Sequence, residues 1–521
     1  MKQNPADRRI QRLLYVLAGA TLCLLVPSVM RGVTCGTSAG LDSSLTTTRG
    51  GVDWIINYNS DSSSDHYMST SDAEGIRDML REMVDRQIDG MGFKGYYSST
   101  LPDFNVAIYD FVEAGDGDYS GVYDGGGDCF ALNVTQLASP PGDTTKKVTA
   151  HELFHAIQQR YVDDAGSSGS VRTHCGKVVS EGQTRCLDDR WDSAFDSNDG
   201  SSSLFFDRAS EIFLEDYTDF DFWKIGTAED DHRGSVDDNY PYSACIFWSY
   251  LCEQFGVRAT SLDNGYDWVQ TFLERTEALL TADDDVDGLI ATDAAIQAYP
   301  RGVGEDFTSM YFDFTICNYA RKFDQSQLDF DTRYRQSTLY PRYIYQDELE
   351  VGDSGTSMNY DTVPVTTTTA AAGTTFSDQS LLPNSAKYWE WDLRGTLGFN
   401  ECEIVGVRAT SDKALNLCVL GITEAGVIID LRKFSNTREA ARCYLVSEST
   451  AVTDRIGRIV LIAATKETGV DDLDVVFDRG PAVMQVAYPT ATALEYPGPA
   501  AEPENVLVRV KVEGPSGLTP D

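Results

Sequence analysis

The chain has 521 residues, 42% of them hydrophobic and 24% charged, and carries a formal net charge of −39 at pH 7. That apolar content excludes a wholly disordered polypeptide and suffices for two or three domains with a sizeable core. The acidity excludes nucleic acid and anionic membrane surfaces as partners, because phosphates would be repelled.

In chain order, Lys2, Arg8, Arg9 and Arg12 precede an apolar run from about Leu13 to Met30. Residues 1–36 therefore read as a secretion signal or a retained signal anchor, with Pro27 and the short run favouring cleavage. Arg8-Arg9 fits twin-arginine export, and Cys35 offers a lipidation site in a poor lipobox context. A secreted or cell-surface protein, extracellular or periplasmic, is expected, touching a membrane only through this segment.

A Gly, Ser and Thr rich stretch at 37–50 leads into a strand at Val52–Tyr58. Helical spacing follows from Asp72 to about Gly90, with Ile76, Met79, Leu80, Met83 and Ile88 on its apolar face. Strands are predicted at Phe104–Phe111 and Cys129–Val134, separated by a Gly/Asp loop. The Ser139-Pro140-Pro141-Gly142 turn and Asp143 introduce a helix that carries His151-Glu152-Leu153-Phe154-His155. From about 181 to 345 the pattern is mainly helical, with helices at Tyr242–Phe255, Asp267–Leu280 and Phe307–Lys322 and Gly256 as a C-terminal cap. Residues 355–382 read as a linker. Short strands at 387–393, 414–421, 427–431, 459–464 and 473–477 then predict a β-sandwich-like accessory domain over 383–485. A proline-containing tail with one possible strand, Asn505–Val512, fills 486–521. The fold class expected is α+β.

The HExxH stretch carries the chemistry. On a helix, positions i and i+4 share a face, so His151 and His155 can hold one metal ion. Glu152 projects beside them as a base for a water molecule, the arrangement of a zinc hydrolase. Such a site needs a third protein ligand. The residues after His155 lack a third histidine, so a glutamate from a later helix is the natural candidate. Glu181 is favoured, because Ser180 and Gly182 permit a tight turn into its helix; Glu211 and Glu215 are rivals on an apolar helix. Asp188, two turns beyond Glu181, is placed to orient a liganding histidine, with Asp189 as fallback. His232, Tyr240 and Tyr242 are candidate donors to a developing oxyanion, Tyr242 foremost.

Two further patterns bear on metals and covalent links. Asp283, Asp285, Asp287 and Gly288 match the first half of a calcium loop, but Ala294 stands where the bidentate glutamate belongs. Calcium is therefore a second candidate cofactor after zinc, and Asp116, Asp118, Asp124 and Asp128 form a weaker acidic cluster. There are eleven cysteines and no CxxC pair, which argues against a thiolate zinc site. Export would permit disulfides, and Cys175 and Cys186 could staple the segment entering the Glu181 helix.

The segments HELFHAIQQRY (151–161) and SEGQTRCLDDRWDSAFDSND (180–199) resemble those of secreted bacterial metalloproteases of the glutamate-zincin type. The resemblance extends over roughly residues 50–330, most specifically at HExxH. It implies a zincin-like catalytic domain at about 50–345, the ligand set His151, His155 and Glu181, and Glu152 as base. The activity implied is zinc-dependent endopeptidase cleavage of a protein or peptide substrate. Asp188, Arg185 and Cys186 depart from the family's usual residues, which touches the surroundings of the ligands more than the ligands. The alternatives are a non-catalytic surface or binding protein on a degenerate scaffold, and an aminopeptidase, for which no motif anchoring a free amine is evident.

Overall fold

The structure is a computed structural model that describes residues 40–95, 103–114, 120–124, 129–191, 244–256, 265–282, 286–299, 304–320, 322–328, 363, 365–381, 385–394, 403–446, 455–465, 469–481, 483–487 and 509–513. The chain forms two compact units, residues 1–81 with 97–152 and residues 82–96 with 153–521.

The first unit is built on a five-stranded sheet. Its strands are β1 (Ser43–Arg49), β2 (Val52–Tyr58), β3 (Asp103–Tyr109), β4 (Gly121–Asp124) and β5 (Cys129–Asn133), in the order β1-β2-β3-β5-β4. β2, β3 and β5 run parallel, while β1 and β4 pair antiparallel at the two edges. β2 alternates, burying Val52, Trp54, Ile56 and Tyr58, whereas every residue of β5 is buried. Continuous burial is expected for a strand covered on both faces.

Helix α1 (Thr70–Val84) buries Ala73, Ile76, Leu80 and Met83 at helical spacing. The predicted α-helix through Gly90 stops short: Asp85–Gly90 widens into a π-helix, and Gln87 rather than Ile88 turns inward. A short helix α2 (Phe111–Ala114) follows β3, so Phe111 leaves the strand expected to contain it. Helix α3 (Asp143–Asp164) carries the HExxH residues. Ala150, Leu153, Phe154, Ile157, Tyr161 and Val162 are all buried, and so are Thr145, Thr149, Glu152 and Gln158. A helix buried around most of its circumference has no clean apolar stripe.

The second unit contains α4 (Val171–Cys175), α5 (Lys177–Trp191), α6 (Cys245–Phe255), α7 (Asp267–Ala282), α8 (Gly288–Ala298) and α9 (Phe307–Ala320). All of α6 except Glu253 is buried. Phe247 meets Phe307 and Phe314 edge-on, and Phe255 stacks on Trp268 at 5.1 Å. Gly256 is the C-cap of α6, as expected, with φ −54°. Glycine is required there because a Cβ would stand 2.4 Å from Gly265 Cα and 2.5 Å from the Cys252 carbonyl oxygen.

The same unit holds a seven-stranded sheet: β6 (Val365–Thr368), β7 (Gly373–Leu381), β8 (Ala386–Asp392), β9 (Glu403–Thr423), β10 (Ile428–Val446), β11 (Ile456–Ala464) and β12 (Val470–Pro481). The order is β6-β8-β11-β9-β12-β7, with β10 on β9. Along one side, β9 pairs with β12 over Glu403–Ser411 and with β11 over Asn416–Thr423. One strand thus passes between two halves that share a core of Trp389, Trp391, Val407, Leu417, Leu461 and Phe477. In place of separate stacked sheets there is a single, nearly closed sheet. The linker expected at 355–382 contains β6 and β7, so the sheet begins earlier than predicted. In the tail, β14 (Arg509–Glu513) pairs with β13 (Val483–Ala487).

Helix α9 is tied to this sheet. Lys433 pairs with Asp313, the Tyr388 hydroxyl donates to the Thr315 carbonyl at 3.0 Å, and Tyr319 donates to Glu390. Arg458 Nε lies 3.3 Å from Glu390, and the Ile428 amide donates to the Asp324 carbonyl at 2.8 Å. The β region and the helices therefore form one compact unit, where the sequence suggested an accessory domain beyond a linker.

Candidate metal centre

His151 and His155 lie one turn apart on α3 and are half-buried, while Glu152 between them is 6% exposed. Within the first unit, the edge strand β4 runs against that glutamate. A Cβ added to Gly121 would sit 2.8 Å from Glu152 Cγ and 2.9 Å from its Oε1. Only glycine lets the strand's backbone approach so closely. Among the described residues, β4 has a single strand neighbour, β5.

Glu181 reaches the histidines by a short return. After α3, Ser170 caps α4 by accepting from the Thr173 amide, and Gly176 (φ +88°) closes that helix and redirects the chain into α5. α5 is held by Trp248, whose Nε1 donates to the Val178 carbonyl at 3.1 Å. Glu181, in the second turn of α5, is buried, and its Oε2 lies 3.2 Å from His155 Nε2.

The opposite nitrogen of His155 faces Gln158 Oε1 at 2.9 Å. An amide oxygen can only accept, so Nδ1 carries a proton, and Nε2 is the ring atom directed at Glu181. Gln158 Nε2 in turn donates to the Ser180 carbonyl at 3.1 Å and to Gln183 Oε1 at 3.4 Å.

One ligand atom each from His151, His155 and Glu181 fall within 4.8 Å of one another. Two imidazole nitrogens and a carboxylate oxygen make a set of acceptors that a divalent cation satisfies, and three protein ligands leave room for water or substrate. The residues present fit a metal ion.

Several expected participants lie outside the described residues: Glu211, Glu215, His232, Tyr240, Tyr242, Asp116, Asp118, Asp128, Asp283 and Asp285. Asp188 and Asp189 fall within α5 and Asp124 within β4, but their side chains are not among those described. The Cys175–Cys186 staple is not formed; both are buried thiols. Cys186 faces α6 instead, with its Sγ 3.9 Å from Cys252 Sγ and accepting from Ser249 Oγ at 3.4 Å. Asp287 is the N-cap of α8 and accepts from the Ile290 amide at 2.8 Å, which accounts for an acidic residue there without calcium. A second acidic group, Asp378, Asp472 and Asp474, lies mostly exposed at the β7–β12 pairing.

Sequence reasoning missed Gln158 and Gly121. Gln158 sits one turn past His155, a spacing that could have marked it as a partner of that ring. Gly121 gave no local signal, since its neighbour is distant in the chain.

No family model matches the chain, and no curated protein does. Among solved structures, 24 chains match. One is PliG of Aeromonas hydrophila, a periplasmic lysozyme inhibitor of g-type lysozyme, 9% identical over 22% of this chain and 97% of that one, with a TM-score of 0.15. Another is an insecticidal delta-endotoxin of Bacillus thuringiensis, 12% identical over 21% and 19% of the two chains, with a TM-score of 0.10. At these scores neither likeness bears on fold or activity.

Proposed function

We propose that this chain is an exported, zinc-dependent endopeptidase of the glutamate-zincin type. The observation that carries the reading is the convergence of His151, His155 and Glu181 beside a buried Glu152. His151, His155 and Glu181 would hold the ion, which when bound supplies a Lewis acid that polarises a carbonyl and acidifies water.

The remaining chemistry belongs to the chain. Glu152 accepts a proton from the attacking water at its carboxylate and returns it to the departing amine nitrogen. Gly121 keeps side-chain bulk away from that carboxylate. β4, at the edge of the sheet, offers backbone groups to which an extended peptide can add as a further strand. Such pairing reads main chain rather than ends, which favours internal cleavage over aminopeptidase action. Tyr242 is the proposed donor to the oxyanion.

The test is zinc content of the purified protein together with hydrolysis of an unfolded protein substrate, with and without a chelator. About one zinc per chain and chelator-sensitive cleavage are expected. A metal-free protein that still performs its biological role, or a zinc-loaded one indifferent to Glu152→Gln, would establish a binding protein instead.

A further inference from the structure

We infer that Gln158 is a positioning residue that sets the metal affinity of the site by fixing His155 and the Glu181 helix with one amide group. The inference deepens the proposed function and rests on it. Two independent sets of contacts carry it. Gln158 Oε1 receives His155 Nδ1 at 2.9 Å, which selects the tautomer and ring orientation that presents Nε2. Gln158 Nε2 donates to the Ser180 carbonyl at 3.1 Å, and Ser180 directly precedes Glu181. It also reaches Gln183 Oε1, one turn further along the same helix face.

The amide is 2% exposed, so water does not compete for these bonds. The Ser180 carbonyl also accepts from Thr184 Oγ1 at 2.6 Å, which fixes the acceptor that Gln158 grips. A side chain on α3 thus sets the separation between His155, its own neighbour, and Glu181, a ligand on a different helix. Leucine at 158 would fill similar space, lose all three bonds and free the imidazole to rotate. Glutamate would keep the acceptor for His155 while removing the donor to Ser180.

The experiment measures zinc affinity by competition with a chromogenic chelator in the full chain, for wild type, Gln158→Leu and Gln158→Glu. The visible absorption of the cobalt-substituted proteins and the melting temperatures of the metal-free proteins accompany it. Zinc binding is expected to weaken about 10–100-fold in Gln158→Leu, the usual cost of losing a group that orients a ligand. Gln158→Glu should recover a large part of that loss, with a cobalt spectrum close to wild type. Equal affinity in wild type and Gln158→Leu overturns the inference. So does a Gln158→Glu protein as weak as Gln158→Leu, since the acceptor that orients His155 would then contribute nothing. If Gln158→Leu does not fold, the spectrum and affinity of Gln158→Glu against wild type still decide whether the acceptor suffices. Wild type that takes up no zinc sinks the proposed function; wild type that binds zinc without regard to residue 158 sinks only this inference.

Discussion

The backbone of Gly121 and the carboxylate of Glu152 occupy adjoining space so closely that a single methyl group on the glycine would overlap the glutamate side chain. Gly121→Ala is therefore expected to displace Glu152, Val148 or the strand itself. Overpacking of this kind costs about 1–3 kcal/mol. Peptidase activity should fall while zinc stoichiometry stays at the wild-type value, because the atoms nearest the new methyl belong to Glu152 and Val148 and to none of the three proposed ligands. Kinetics paired with metal analysis check this; a fully active Gly121→Ala enzyme contradicts the packing described.

Glu152 and Glu181 should separate cleanly. Glu152→Gln removes the proton acceptor and leaves the ligands, so kcat should drop about 10²–10⁴-fold with zinc retained. Glu181→Ala removes a ligand and should release the metal together with the activity. Bound zinc in Glu181→Ala at the wild-type level would move the third ligand elsewhere, to Glu211 or Glu215.

Cys175 supplies a pH signature. Burial raises its thiol from the ordinary 9.0 to about 12, with the Asp287 carboxylate adding to the effect. The folded protein holds this proton more tightly than the unfolded chain does. Its contribution to stability is complete below pH 9 and is lost as pH rises from about 9 toward about 12. The unfolding free energy from denaturant melts should fall with pH over that range in wild type and fall less in Cys175→Ala. Native protein at pH 10 should also resist alkylation at this thiol.

The ion pair between α9 and β10 should show strong coupling. Asp313 is 2% exposed, and Lys433 is its cationic partner. Lys433→Met strands a buried carboxylate and should cost about 3–5 kcal/mol. Adding Asp313→Leu should recover much of that loss. A double-mutant cycle in urea measures the interaction, and additive effects would show that the pair does not couple.

Much of the fold was readable in the residues, in proportion to how local its causes are. β2 alternates in burial and β5 is apolar from Cys129 to Leu132, so both stood out. Helix α3 declared itself through the proline turn and its HExxH spacing. Of the long β9–β10 hairpin, only the stretches 414–421 and 427–431 did. The run Arg432-Lys433-Phe434-Ser435-Asn436-Thr437-Arg438-Glu439 has no strand pattern, and it is extended because β9 pairs with it, with register shifts around Thr437. β6 and β7 were hidden for a similar reason, since their Thr-rich segments are strands through partners distant in sequence. At the centre, His151, Glu152 and His155 followed from spacing and Glu181 from the need for another carboxylate. Gln158 and Gly121 required knowing which atoms meet in space.

Because β9 serves both halves of the nearly closed sheet, its length behaves as a ruler. Inserting or deleting one residue between Glu403 and Thr423 would turn a whole set of inward side chains outward in one half while leaving the other in place. Natural size variation in this region should therefore accumulate in the connections between strands, such as the Glu424–Val427 turn, and spare the strand that gauges them.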